Sequence, residues 1–200
     1  VPTKVLVSGF EPFGGSQVNP SQLLVQALEK EIFTEVDLSA IVLPVEFTKS
    51  SEMLLRKIKD VGPDVVISFG QAEGRSGITP EKVAINFDDA RIPDNSGDKR
   101  AQVKIDVHGP DAYFSTLPVE KIVEALKEKE ITTSLSLSAG AFVCNHLFYS
   151  LQNALKGNGI RSGFIHLPLV PQQQEEFPGQ PTMDLATMVR GARTAILSTL

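Results

Sequence analysis

Short β-branched runs alternate with helical patterns from one end of the chain to the other. Residues 4–8 (KVLVS) form an apolar run that predicts a buried strand stopping at Gly9. A loop rich in glycine and phenylalanine follows. Asn19-Pro20 then opens a helix, with an N-cap side chain and a proline at the first helical position. Leu23, Leu24, Ala27, Leu28 and Ile32 give that helix one apolar face. Residues 38–43 read as a second strand. Leu54, Leu55 and Ile58 mark a helix of about three turns, which Gly62-Pro63 breaks. Residues 65–69 (VVISF) supply another strand, ending at Gly70, and residues 83–86 a further short one.

Residues 88–113 are the least regular part, and their Pro, Gly, Asn and Asp content predicts turns and a hairpin. Residues 119–129 return to helix, 135–138 to strand and 145–155 to helix; residues 163–167 (GFIHL) read as the next strand. A last helix runs from about Thr182, with Leu185, Met188, Val189, Ala192 and Ile196 as its apolar stripe. The alternation predicts an α/β layered architecture with a sheet that is largely parallel and either all-parallel or mixed. The 200 residues suffice for a single domain spanning 1–200, and no break in composition divides them.

Composition adds mainly exclusions. Hydrophobic residues at 42%, charged residues at 22% and a mean hydropathy of +0.00 describe an ordinary globular protein. A net charge of −5, with no basic run, argues against nucleic acid and against an anionic membrane surface as partners. No apolar stretch approaches the roughly 20 residues needed to cross a bilayer. The opening VPTKVLVSGF does not resemble a signal peptide, and a single cysteine forms no internal disulfide. The lack of an internal disulfide suits a reducing cytoplasm.

That cysteine, Cys144, lies in AGAFVCNHLFYSL (139–151). A strand running into Ala139-Gly140 and a helix starting near Val143 would hold the thiol at a helix N-terminus. The dipole there favours a thiolate, the nucleophilic form. The alternative is a small buried hydrophobe. Loops 9–15, 70–77, 139–144 and 166–171 all follow predicted strands, and sites in open α/β sheets gather at the carboxyl ends of strands.

A cysteine nucleophile needs a base within hydrogen-bond reach. His146 lies two residues on, about 200° round the helix, and His108 sits in the irregular segment. His166 ends a short apolar strand and is the better partner, although a strand-end histidine satisfied by backbone groups is equally compatible with the sequence. Glu81, Asp88, Asp89 and Asp94 are the acids that could orient an imidazole. Glu81 could point inward from the start of a strand or turn, or residues 79–82 could form a plain helix-cap or turn motif with a solvated glutamate. Asp88 and Asp89 flanking Arg91 form either a salt-bridged loop or a route for Arg91 to approach a reacting carbonyl. Phe10 and Phe13, on a glycine-rich loop, either pack into the core or line an apolar pocket. The same loop matches neither nucleotide-binding glycine pattern. Cys144, His146 and His166 are poorly spaced for a metal.

Five segments in order are similar to pyroglutamyl peptidase I, also called pyrrolidone-carboxylate peptidase: VLVSGFEPFGG with NPS at 19–21, GQAEGRSGITPEKVAINFDDARIPDN at 70–95, AYFSTLP at 112–118, SAGAFVCNHLFYSL at 138–151 and GFIHLPLVPQQ at 163–173. The resemblance implies a cytoplasmic cysteine peptidase that removes N-terminal pyroglutamyl residues from peptides. It implies a Cys144–His166–Glu81 triad, an α/β/α sandwich assembled as a homotetramer, and neither metal nor organic cofactor. It further implies a pyroglutamyl pocket that includes Phe10 and Phe13, to which Gln71, Arg91, Ile92 and Val143 are added here as candidate substrate-binding residues. Leu137 and Ala141-Phe142 depart from what the family often carries at those positions.

Overall fold

A computed structural model describes residues 1–200. Its elements, in chain order, are β1 (Thr3–Phe10), α1 (Pro20–Leu28), β2 (Val36–Leu43), α2 (Phe47–Val61), β3 (Val65–Gln71), β4 (Thr79–Pro80), β5 (Val83–Ile85), β6 (Ala112–Phe114), α3 (Val119–Glu128), α4 (Val143–Leu155), β7 (Arg161–Leu167), a 3-10 turn (Pro171–Gln173) and α5 (Leu185–Leu197). The central sheet runs β2-β1-β3-β7-β4. Its first four strands are parallel, and β4 pairs antiparallel with β7. β5 and β6 form a separate antiparallel ribbon.

Alternation along the strands makes the three layers. Val5, Val7, Val65, Ile67, Phe69, Ile165 and Leu167 join one apolar cluster with buried residues of α1, α3 and α5. Leu6, Val66 and Phe164, on the intervening positions, join a second with α2 and α4. Successive strand side chains point to opposite faces, so helices cover both sides of the sheet and its strands are apolar throughout. A fully buried leucine such as Leu147 or Leu24 contributes roughly 2 kcal/mol by leaving water. No helix is long and apolar enough to cross a membrane.

The local signals explain most boundaries. Asn19 caps α1, its Oδ1 accepting from Ser21 N at 3.0 Å, and Pro20 occupies the first turn. Asp184 caps α5 by accepting from Thr187 N at 2.8 Å, so that helix starts at Leu185 rather than near Thr182. Two expectations fail. Ile32 lies beyond the end of α1 and is 83% exposed, because the helix closes at Leu28 and the chain turns there. Residues 135–138 form no strand and make one isolated bridge, Ser136 with Glu81. Serine hydroxyls compete there with ladder bonding: Ser136 Oγ donates to Ser138 O and accepts from Ser138 N, and Ser138 Oγ accepts from Gly140 N.

The order of strands sets the place for chemistry. β1 runs to β2 on one side and to β3 on the other, a point where connections diverge and the carboxyl ends of strands border a crevice. Phe10, Gln71 and Leu167 end β1, β3 and β7, so the loops around them meet.

Candidate active site

Cys144 is the second residue of α4, and Phe142 stands at the N-cap without a side-chain cap hydrogen bond. The turn before it needs Gly140, whose φ of 77° suits a residue without a β-carbon. The first N–H groups of α4 are thus left without intrahelical partners at the end that carries the sulfur. Asn145 anchors this end of the helix: Oδ1 accepts from Ile85 N at 3.0 Å, and Nδ2 donates to Ile85 O and Phe87 O at 2.9 and 3.2 Å.

His166 sits near the end of β7, opposite Gly70 of β3 and Thr79 of β4. Its Nδ1 is 2.7 Å from Glu81 Oε1, and both residues are buried. Glu81 follows β4 directly, and that antiparallel edge turns its carboxylate inward. Arg75 completes the group, its Nη1 donating to Glu81 Oε1 and to Thr79 Oγ1, each at 2.5 Å, and its Nη2 to Ser138 O at 2.8 Å. Sequence reasoning had not singled out Arg75. Its signal was a charged residue between two glycines just ahead of Glu81, and only the fold turns it back onto that carboxylate. Glu81 Oε2 is buried without a partner.

The electrostatics follow from burial. Burial alone would raise the Glu81 carboxyl, yet the hydrogen bond and charge of His166, with Ser136 and Arg75, hold it below the ordinary glutamate value. Burial pushes His166 down; Glu81 pulls against this, and Arg75 pushes the same way as burial. His166 is therefore a neutral imidazole at pH 7. Burial pushes the Cys144 thiol up to about 12; the Glu81 charge adds to this, while Arg75 and the residue's own backbone N–H oppose it. This corrects the expectation of a thiolate stabilised by the helix N-terminus. Desolvation, the largest cause, works against the thiolate that a helix N-terminus favours.

Cys144 and His166 line one cleft of about 800 Å³, together with Phe13, Gln71, Arg75, Arg91, Ile92 and Phe177 among others. A smaller slot opens behind the thiol, walled by Phe10, Phe13, Asn19, Val45, Gln71, Phe142, Val143 and Cys144. Phe142 packs on Phe13 at 6.0 Å and edge-on to Phe47 at 5.4 Å, which stiffens this wall. Of the candidate pocket residues, Phe10, Phe13, Gln71 and Val143 border the slot. Arg91 and Ile92 are exposed and border only the outer cleft. Asn19, Val45 and Phe142 also wall the slot although sequence reasoning did not assign them to it.

The other acids go elsewhere. Asp88 Oδ2 bonds His146 Nδ1 at 2.8 Å and Arg100 Nη1 at 3.0 Å. The expected ion pairing of Asp88 and Asp89 with Arg91 does not form: Arg100 supplies the cation, and Asp89 is exposed with its N–H donated to Ala141 O. Asp94 is a turn residue, accepting from Phe47, Ser96 and Asp98 N–H groups. His108 is exposed. No group of three or more His, Cys, Asp or Glu side chains is arranged to hold a metal ion.

The sequence pattern of Peptidase_C15, pyroglutamyl peptidase, matches residues 3–200. The chain belongs to the pyroglutamyl peptidase family. It is 47% identical over 195 residues to pyrrolidone-carboxylate peptidase 1 of Caldanaerobacter subterraneus subsp. tengcongensis, covering 96% of each chain. It is also 47% identical over 197 residues to the pyrrolidone-carboxylate peptidase of Vibrio vulnificus, covering 98% of this chain and 92% of that one. Its fold superposes on the crystal structure of pyroglutamyl peptidase I from Bacillus amyloliquefaciens with a TM-score of 0.95 at 40% identity, over 100% of this chain and 95% of the other. A mutant pyrrolidone carboxyl peptidase from Pyrococcus furiosus gives 0.93 at 39% identity, over 98% of both chains. Membership in the pyroglutamyl peptidase family thus rests on the whole length of the chain and on its architecture alike.

Proposed function

We propose that this member of the family is a cysteine peptidase hydrolysing the amide bond that follows an N-terminal pyroglutamyl residue, with all 200 residues forming one peptidase domain. The observation that carries the reading is the His166 Nδ1–Glu81 contact of 2.7 Å at the edge of the cleft that Cys144 lines. With Nδ1–H donated to Glu81, the ring's Nε2 is left as the acceptor for a thiol proton.

His166 Nε2 takes the proton from Cys144 as Sγ attacks the pyroglutamyl carbonyl carbon. The carbonyl electron pair moves onto oxygen, and the open N–H groups at the start of α4 stabilise that oxyanion; one such donor lowers the barrier by roughly 3–4 kcal/mol. Collapse breaks the C–N bond, and His166 hands its proton to the departing amine. This leaves a thioester on Cys144. A water molecule, deprotonated by the same imidazole, then attacks the thioester carbon; pyroglutamate leaves and the thiol is restored. Glu81 holds the ring and stabilises the imidazolium of each step, while Arg75 keeps Glu81 ionised.

Pyroglutamate is a lactam with no ammonium group, so an apolar slot suits it. An ordinary charged N-terminus would have to shed its water there, which costs several kcal/mol. Phe10, Phe13 and Val143 supply apolar walls, and Arg91 and Ile92 border the outer cleft where the rest of the peptide would lie. The resemblance to the family further supports a cytoplasmic homotetramer as the working form, which light scattering of the purified protein would test.

The direct test is release of a fluorogenic amine from its pyroglutamyl amide. Wild type should turn over under reducing conditions, and Cys144→Ala should not. Absence of wild-type turnover, or full activity in Cys144→Ala, would overturn the reading.

A further inference from the structure

Gln173, in the 3-10 turn that follows His166 by a few residues, is wholly buried. A buried primary amide must find partners for both its oxygen and its nitrogen, and these partners determine which way round it lies. Val170 N, a donor only, faces Gln173 Oε1 at 3.1 Å. Val18 O, an acceptor only, faces Gln173 Nε2 at 3.2 Å. The orientation of Gln173 is therefore dictated by two backbone groups. Its Nε2 also donates to Gln71 Oε1 at 2.8 Å and reaches Ser16 Oγ at 3.4 Å.

The assignment passes along the chain of amides. Because Gln173 presents N–H to Gln71, the atom of Gln71 facing it must be the oxygen. Gln71 Nε2 is thereby turned the other way and makes no hydrogen bond within the chain, while its residue borders both the slot and the cleft. Asn19, the other amide in the slot wall, is already committed: Oδ1 to Ser21 N and Oγ, Nδ2 to Glu11 O.

We propose that Gln173 is a positioning residue that sets the polarity of the slot, fixing the Gln71 amide so that Nε2 offers a donor to the lactam carbonyl of the bound acyl group. This rests on the pyroglutamyl reading above. Three segments far apart in sequence, the 16–18 loop, the end of β3 and the turn after β7, are locked together by this one side chain. Gln71 is thus held ready, and the ligand need not order it.

The test is a double-mutant cycle on the pyroglutamyl amide of a fluorogenic amine. Gln173→Met, which keeps the length and removes both polar atoms, should raise KM about ten- to a hundredfold, the span for loss of one buried hydrogen-bond partner, with kcat within about threefold. Gln71→Met should do the same. In the double variant the second substitution should add less than about twofold, because Gln173 acts through Gln71. A structural role would instead multiply the two losses.

Gln173→Glu keeps the size and the acceptor for Val170 N, and carries the same test should Gln173→Met fail to melt cooperatively. Its second oxygen would draw the Gln71 amino group towards itself and reverse the slot's polarity, so KM should rise at least as far. Folded Gln173 variants with wild-type KM, or multiplicative losses in the double variant, overturn the inference and leave the peptidase reading standing. A wild type that does not cleave the substrate overturns both.

Discussion

A β-carbon placed on Gly70 would stand 2.8 Å from the Cys144 sulfur, and Gly70 pairs directly across the β3–β7 ladder with His166. One glycine therefore lies beneath the thiol and beside the imidazole. The same β-carbon would meet Phe164 Cζ at 2.8 Å, so the sulfur is the softer neighbour to displace. Gly70→Ala should shift Sγ by a fraction of an ångström to an ångström and lower kcat about a hundredfold, the usual penalty for misplacement on that scale. Kinetics on the pyroglutamyl amide, with a melting curve as control, checks this; an unchanged kcat would show that the thiol is not held where the geometry has it.

Glu81→Gln keeps an oxygen within reach of His166 Nδ1 while removing the charge that stabilises imidazolium and answers Arg75. The expected outcome is a fall in kcat of about 10²- to 10⁴-fold, with KM changed far less. A loss confined to KM would instead make Glu81 a substrate contact.

The pH behaviour has a definite sign. His166 is pushed below its ordinary value of 6.5, so kcat/KM should fall on the acid side only at pH values below 6.5. Cys144 is raised to about 12, and alkylation of the free enzyme by iodoacetamide should keep climbing towards that pH. A rate already saturated between pH 6 and 8, on the order of a low-pKa reactive cysteine, would contradict it. Stability follows the same direction. The unfolded chain protonates its His166 before the folded one does, so stability declines as pH drops through 6.5. Glu81, lowered from 4.5, adds stability that is present above 4.5 and lost as pH falls through its folded value.

Arg100→Met should act on stability. Arg100 bonds Asp88, Asp98 and Thr48 and lies over the Phe47 ring at 4.6 Å. Its removal leaves Asp88 buried, with Oδ1 already unpartnered. A fully buried broken pair costs about 3–5 kcal/mol; with the Arg100 side chain 23% exposed, about 2–4 kcal/mol is expected after screening. For a chain of this size that lowers Tm by roughly 5–15 °C. Calorimetry measures the shift, and activity at 25 °C should stay within about fivefold of wild type. A Tm unchanged within 2 °C, about the smallest step one kcal/mol makes, would show the network to be ornamental to the fold.

What could be read from the sequence was what depends on neighbours in the chain. Asn19-Pro20 specified the start of α1, apolar runs specified β1, β3 and β7, and the setting of Cys144 pointed to a helix start. Pairings across the fold were another matter. Four acids stood as possible partners for a histidine, and only the antiparallel β4 edge delivers Glu81 to His166 while the loop carrying Asp88 delivers it to His146. Arg75 and Arg100 went unnoticed because nothing local to either residue distinguishes a cation that will meet a buried carboxylate from one that will meet water. Residues 135–138 misled because Ser-Leu alternation imitates a half-buried strand, whereas the serine hydroxyls bond the nearby backbone. The state of the thiol was misjudged for a related reason: the helix dipole is visible in a sequence, and desolvation is not.

The slot behind Cys144 ends against Phe10, Asn19 and Val45, each almost wholly buried. Those buried side chains close its inner end, so it works as a gauge of length. A chain entering it can place only one residue ahead of the bond that meets the sulfur. In the proposed peptidase, cleavage at the terminus and nowhere else would follow from the shape of the scaffold itself, without any group dedicated to rejecting longer chains.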